Sequence, residues 1–504
     1  MNSQETRVKF SSGRLIAKHT IYNLLGYGIP LIVALIVIPL IITGLGKERF
    51  GILNLVWVVV GYFSFFDFGI GRTLTKIIAE KIGSNQTAEI PSVFWTSFIL
   101  MLVFSLSGTI ILLFSIPFLI NNFFVISQGV QKEALYTFYI LAISIPIVTT
   151  TAGLRGVLEA YQKFGAINII RTLLGIFTFL IPLLCLVFIN SLFWIVILLI
   201  LIRILIWVLY LVQCFKINVK IKKEIKFKYK LVVPILKLGG WITVANLVAP
   251  FLIYSDRFLI GALVSATAVA YYATPYEVVT KLLLISGALV VVLFPMFSAS
   301  FSTNPDFSKK IFIRGTKFIF LILYPIILLI VTFAYQGINL WLGTGFANNS
   351  SFVLQLLAVG VLLNSLASIP FNFFQGVGRP KIPAIINSIE LPFYLLLMWL
   401  VIGKWGINGA AFVWLFRIII DSAILFFVAK KMINIHLPKL TIFIITFLIL
   451  ILTVPFFTEN VFVKIIFVFI MFIVYLLVSW NYLLRVDEKV FFISKIKKVN
   501  FLKV

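Results

Sequence analysis

Among the ionisable residues inside otherwise apolar stretches, nine are candidates for chemistry: Asp67, Arg203, Asp256, Arg257, Glu277, Lys281, Glu390, Arg417 and Asp421. Arg72 follows close on such a stretch. A charge in hydrocarbon is costly, so side chains of this kind face a wet cavity or a partner. Guanidinium and ammonium groups hold phosphate, arginine through a bidentate fork. Buried carboxylates take up protons or sodium, because desolvation disfavours their charged form and nearby cations favour it. Spacing leaves a second reading open. Glu277 and Lys281 are four residues apart in the favourable helical order, and Arg417 and Asp421 are four apart in the weaker one. Either pair could neutralise itself and fix packing. Asp256 and Arg257 are adjacent, so they should point to different faces. Asp67 precedes Gly69, Gly71 and Arg72, a place where a carboxylate can also cap a helix.

The elements that must carry these charges follow from composition. Of 504 residues, 62% are hydrophobic and only 12% charged, with mean hydropathy +1.14. Soluble domains are nearer half apolar and a quarter charged, and disordered chains are less hydrophobic still. The chain is expected to be an all-α polytopic membrane protein. Apolar stretches bounded by charged residues or Gly, Pro and Asn predict about fourteen spans: 20–43, 52–70, 92–119, 135–154, 167–189, 192–214, 236–262, 269–296, 316–334, 352–373, 382–402, 408–429, 440–457 and 463–484. The segment before the first is polar and basic, and no small-residue cleavage pattern follows it, which predicts an uncleaved first helix.

Orientation follows from the basic residues, 42 Lys and Arg against 16 Asp and Glu. With the N-terminus inside, the outer connections hold only Lys47, Arg49, Lys132, Lys404 and Lys464. Seven cations fall within spans: Arg171, Arg203, Lys237, Arg257, Lys281, Lys317 and Arg417. The other thirty lie on tails and connections of the opposite side, which the positive-inside rule assigns to the cytoplasm, with both termini. The net charge of +26 is thereby explained by topology and anionic headgroups rather than by nucleic acid.

An internal repeat is expected. The first span starts at 20 and the seventh at 236, and the turns around Lys163 and Arg379 carry the same offset. Both turns are short, basic and glycine-containing. The predicted organisation is a cytoplasmic segment 1–19, a six-helix lobe 20–214, a basic linker 215–235, a second six-helix lobe 236–430, helices 13 and 14 over 431–484, and a basic tail 485–504. The linker carries Lys216, Lys220, Lys222, Lys223, Lys226, Lys228 and Lys230, read as a topology anchor or a headgroup-binding patch. Pro30, Pro39, Pro146, Pro182, Pro250, Pro295, Pro325, Pro370 and Pro392 fall in or beside spans, where they can kink helices.

Other chemistry is disfavoured. No phosphate-loop motif occurs, and His19 and His436, the only histidines, lie far apart. Cys185 and Cys214 lie in apolar helices and imply no disulfide or metal site, so no cofactor and no metal are expected. The longest external loops, 121–134 and 335–351, hold a single acid, Glu133. An enzyme is not expected.

One resemblance spans nearly the whole chain. The stretch L-G-K-E-R-F-G (45–51) followed by F-D-F-G-I-G-R (66–72), then S-D-R-F-L-I-G (255–261), A-V-A-Y-Y (268–272) and Q-G-V-G-R-P-K (375–381), resembles bacterial O-antigen and teichoic-acid type polysaccharide flippases of the multidrug/oligosaccharidyl-lipid/polysaccharide exporter superfamily. Ala270 departs from the glycine more usual in that family. The resemblance implies movement of an undecaprenyl-diphosphate-linked oligosaccharide across the cytoplasmic membrane by alternating access, driven by an ion gradient or membrane potential. In such proteins the sugar head passes through a cavity between two lobes while the lipid tail stays in the bilayer. On that reading Arg72, Arg203, Arg257, Lys281 and Arg417 are candidate substrate contacts, and Asp67, Asp256, Glu277, Glu390 and Asp421 candidate ion-coupling acids. Implied partners are the lipid-linked substrate, membrane lipids and polysaccharide assembly proteins, with a monomeric chain. A peptidoglycan lipid-precursor flippase, a drug or cation efflux pump and, in another class, a membrane-embedded polymerase or ligase are the alternatives.

Overall fold

The computed structural model describes residues 13–301, 304–434, 446–458, 460–484 and 488–489. Side chains are described for most of these, excluding 13–27 and 238–250 among others. Among the described residues there is no strand, and ten helices are long and apolar enough to cross a membrane. The chain is a multi-pass membrane protein.

The helices run in order as α1 (Gly13–Leu45), α2 (Lys47–Tyr62), α3 (Ile70–Gly83), α4 (Ile90–Phe118), α5 (Gln128–Ile143), α6 (Ile145–Ala160), α7 (Phe164–Phe188), α8 (Leu192–Ile217), α9 (Val219–Lys223), α10 (Val232–Leu263), α11 (Ala266–Thr280), α12 (Leu283–Ser300), α13 (Pro305–Thr332), α14 (Ala334–Leu342), α15 (Thr344–Gly376) and α16 (Lys381–Ile433). A short apolar α17 (Thr446–Phe456) and α18 (Val461–Val478) follow. Part of the expected thirteenth span, 440–445, lies outside the described residues, as do 1–12 and most of the expected tail 485–504.

Element bounds recur at a constant offset. The pair α5–α6 covers 128–160 and α15 covers 344–376. The end of α8 at Ile217 and the end of α16 at Ile433 are separated by the same distance along the chain, which is also that between Lys163 and Arg379. The expected eleventh and twelfth spans form one long α16, interrupted at Gly406, whose φ of 56° and ψ of −138° suit glycine alone.

Two compact units divide the chain. The first comprises Met1–Ala273 with Leu391–Ile407, the second Thr274–Glu390 with Asn408–Val504. In the first, Gly51 of α2 meets the start of α11 so closely that a Cβ there would overlap the Ala266 carbonyl. Val125 clips the same end together: its N–H donates to the Gly261 carbonyl at 2.9 Å, and its carbonyl accepts from the Ala266 N–H at 3.1 Å. In the second unit, α18 runs antiparallel to α13. The Tyr475 hydroxyl donates to the Leu321 carbonyl at 2.5 Å, and its ring stacks on Tyr324 at 5.2 Å. Further along, Glu488 is buried and ion-paired with both Lys317 and Arg314 of α13.

That pairing gives a first expectation. Glu488→Gln leaves the buried Lys317 ammonium without its carboxylate, a change that costs about 3 kcal/mol in comparable sites. Thermal unfolding in detergent should show the loss, and trypsin should cut after Lys489 sooner than in the parent protein. Unchanged melting and unchanged cleavage would remove the latch.

Candidate functional site

The second expected span, 52–70, is not one helix. It breaks after α2: residues 63–67 tighten into a 3-10 turn, Phe68 and Gly69 take left-handed φ of 46° and 67°, and α3 starts at Ile70. Asp67 stands at this break. Its Oδ1 accepts the Gly69 N–H at 2.6 Å, so the carboxylate meets the orphan donors at the start of α3. Arg72 on α3 is exposed, and together with Arg155 of α6 it supplies the positive field at Asp67. Arg155 pairs with Glu159 at 3.2 Å, and Arg171 of α7 donates to Asn168 at 2.8 Å.

The eighth span also breaks, between α11 and α12. The Lys281 N–H reaches the Val278 carbonyl at 3.2 Å and the Leu282 N–H reaches Val279 at 3.1 Å, so the helix narrows by three-residue bonds before α12 starts. Lys281 stands at this break as Asp67 does at the first, and their separation in sequence is close to the offset of the element bounds. The Lys281 Nζ lies 3.2 Å from Glu277 Oε2, and both side chains remain more than two-fifths exposed. Next to the break, Val278, Val279 and Leu282 line an apolar cleft of about 300 Å³ together with Ile338 and Trp341. Interrupted helices in matching positions of two repeats are the pattern by which transporters offer backbone and side-chain groups to a substrate at membrane depth.

The remaining candidates are placed as follows. Asp256 and Arg257 of α10 are both buried within the first unit. Asp256 Oδ1 accepts the Arg257 N–H at 2.7 Å and Oδ2 accepts the Tyr272 hydroxyl at 2.8 Å, while the Arg257 guanidinium lies 5.7 Å from the Tyr254 ring centre. Both are covered by protein, whichever face of α10 each occupies. Arg203 is half-buried on α8 with no hydrogen-bond or ion-pair partner among the described residues. In the second unit Glu390, Arg417 and Asp421 come together across α16: Arg417 lies 3.9 Å from Glu390, and Asp421 acts electrostatically on Glu390 and feels Arg417. Among the described residues no group of three His, Cys, Asp or Glu could hold a metal.

Glu133, expected on one of the longest external loops, lies instead on α5 and is occupied structurally. It accepts Arg49 at 2.8 Å, the Ser191 hydroxyl at 3.0 Å and the Leu192 N–H at 2.6 Å, tying α2 and α5 to the start of α8. Two charged residues escape sequence reasoning. Arg155 could have been found, since its spacing from Glu159 is that of a helical ion pair. Glu488 could not, because its partners are distant and no local signal marks it.

The described residues make a membrane-embedded helical bundle with interrupted helices bearing charge in both halves of the sequence, an architecture used by carriers. Residues 16–301 match the family described as polysaccharide biosynthesis protein. A Shigella flexneri protein named "Putative O-antigen transporter" is 31% identical over 422 residues, which cover 84% of this chain and 99% of that one. The chain belongs to the polysaccharide biosynthesis protein family. In fold it is similar to the lipid II flippase MurJ in an inward closed conformation, with a TM-score of 0.71 at 17% identity, covering 92% of this chain and 98% of that one. It is also similar to an inward-facing multidrug resistance MATE family transporter of the MOP superfamily, with a TM-score of 0.68 at 15% identity, covering 82% and 94%.

Proposed function

We propose that the protein flips an undecaprenyl-diphosphate-linked oligosaccharide from the cytoplasmic to the outer leaflet of the bacterial cytoplasmic membrane, by alternating access. The observation that carries this reading is the pair of helix breaks at Asp67 and Lys281, in a chain 31% identical to a relative named as an O-antigen transporter. A diphosphate is strongly anionic, and cations that meet it offset the cost of leaving water. Lys281 and Arg72, whose side chains are not covered by protein, are the first candidates to do so. Arg203 offers a further guanidinium with no competing carboxylate partner among the described residues. Arg257 is buried here and would have to be uncovered in another conformation. Two acids sharing one arginine, Glu390 and Asp421 with Arg417, form the preferred ion-coupling element: occupation by a proton or cation changes how many negative charges the arginine must balance.

The test is flipping by the full chain in vesicles carrying defined lipid-linked sugars, a peptidoglycan precursor among them, read by the access of added reagent to the sugar. Lys281→Ala should lower the rate about 10–100-fold, the value of one charge-assisted hydrogen bond to phosphate. Insertion and melting should be unchanged. A normal rate in Lys281→Ala removes the site assignment. If the parent protein moves none of the diphosphate lipids, the substrate class is wrong.

A further inference from the structure

The basic connection between α8 and α10 is not a free tether. Ile221 of α9 is fully buried, and its carbonyl accepts the Trp95 indole N–H at 2.8 Å. Further on, the Lys228 N–H donates to Thr96 Oγ1 at 3.0 Å. Asn218, before α9, donates to the Tyr161 hydroxyl at 3.1 Å. Trp95 and Thr96 lie little more than one turn inside α4. The connection is therefore held at the depth where an apolar helix enters the bilayer, and it lies between two spans that both end there.

What this fixed segment presents is unusual for a solvated loop. Val219, Ile225, Phe227, Tyr229 and Val233 are 54%, 68%, 47%, 77% and 66% exposed. From Ile225 to Lys230 the chain alternates apolar and lysine residues, and at Lys228 it is extended (φ −118°, ψ 108°). In an extended chain alternate side chains point to opposite sides. Over 225–228, before the 3-10 turn Tyr229–Leu231, Ile225 and Phe227 thus form one edge and Lys226 and Lys228 the other, while the turn adds the exposed Tyr229 and Lys230. All seven lysines of the connection are exposed against one acid, Glu224, whose carboxyl the Lys226 ammonium at 2.9 Å holds below the usual range.

We propose that residues 219–233 form a lipid-binding surface that lies in the interface of the same membrane, its apolar edge at the acyl boundary and its lysines on anionic headgroups. Apolar side chains exposed in a row and flanked by lysines are the composition of interfacial anchors. Long lysine stems let the ammonium reach phosphate while the backbone lies flat. The charge ratio selects anionic lipid over zwitterionic lipid. The site differs from the helix breaks and does not depend on which substrate they take.

The test uses the full chain with Tyr229→Cys carrying an environment-sensitive fluorophore. Cys185 and Cys214 are buried, so the protein without that substitution is the labelling control. In vesicles of phosphatidylcholine with phosphatidylglycerol, emission should shift to the blue and be quenched by lipid with a nitroxide headgroup. Replacing Lys226, Lys228 and Lys230 together with Gln should lower the docking constant, read from the two emission components, about 100-fold, or roughly fivefold per lysine. Water-like emission in anionic vesicles would overturn the proposal. So would equal quenching with and without the three lysines, which would assign contact to the apolar edge alone. Reversal of the shift by inorganic pyrophosphate at constant ionic strength would also overturn it, because the lysines would then read a soluble diphosphate.

Discussion

Asp256→Ala is expected to cost the fold about 3–5 kcal/mol, the range for stripping one partner from a buried charged cluster. The carboxylate has no exposed surface. It is the acceptor for the Arg257 backbone N–H and the Tyr272 hydroxyl, joining α10 to α11. Alanine removes both acceptors at once, beside a guanidinium that is itself 2% exposed. Domains are stable by only about 5–15 kcal/mol, so the variant should be recovered poorly and melt far below the parent. Tyr272→Phe should cost less, about 1–3 kcal/mol, since the bond from the Arg257 N–H to the carboxylate remains. Thermal unfolding in detergent separates them. Equal melting of Asp256→Ala and the parent would mean that the cluster carries no structural load and would return Asp256 to the ion-coupling candidates.

Gly51→Val should be the most disruptive change on α2. Even the first carbon of a side chain would overlap the Ala266 carbonyl, which is backbone and cannot rotate away. Overpacking costs about 1–3 kcal/mol where side chains can adjust, and more where they cannot. The strain can be relieved only by moving α2 from the start of α11 and stretching the bonds through Val125. Ala266 is 1% exposed in the present arrangement. Ala266→Cys should react slowly with maleimide when Gly51 is kept, and several-fold faster when it is combined with Gly51→Val. No change in melting and no gain in labelling would show that the two helices do not depend on this approach.

Most spans are legible in the sequence because a membrane helix must satisfy its backbone internally and present apolar side chains, and both demands leave long apolar runs. The expected bounds 167–189, 192–214 and 463–484 agree with the helical segments to within about three residues, whereas the expected 135–154 is two helices, α5 and α6, over 128–160. The breaks at Asp67 and Lys281 are harder to read. Each break carries a charged residue, but a charge inside an apolar run does not by itself end a helix, and only the first has glycines, at 69 and 71, beside it. Charge positions are legible, their surroundings are not. Glu277–Lys281 follows its spacing, whereas Arg417 meets Glu390, 27 residues earlier and beyond the Gly406 kink in sequence. No local pattern can announce a contact made by folding at that range. The linker lysines read as a topology signal, and the apolar residues alternating with them gain meaning only once the backbone is seen to be held.

The pairing of Glu488 with Lys317 also sets a schedule for synthesis. The two residues are 171 positions apart, so α13 enters the membrane well before its counter-charge has been made. At about 5–20 residues per second, translation leaves that ammonium waiting for roughly 10–30 s. During that interval the lysine must stay near the aqueous rim, and the helix can settle to its final depth only after the ribosome has added the distant glutamate.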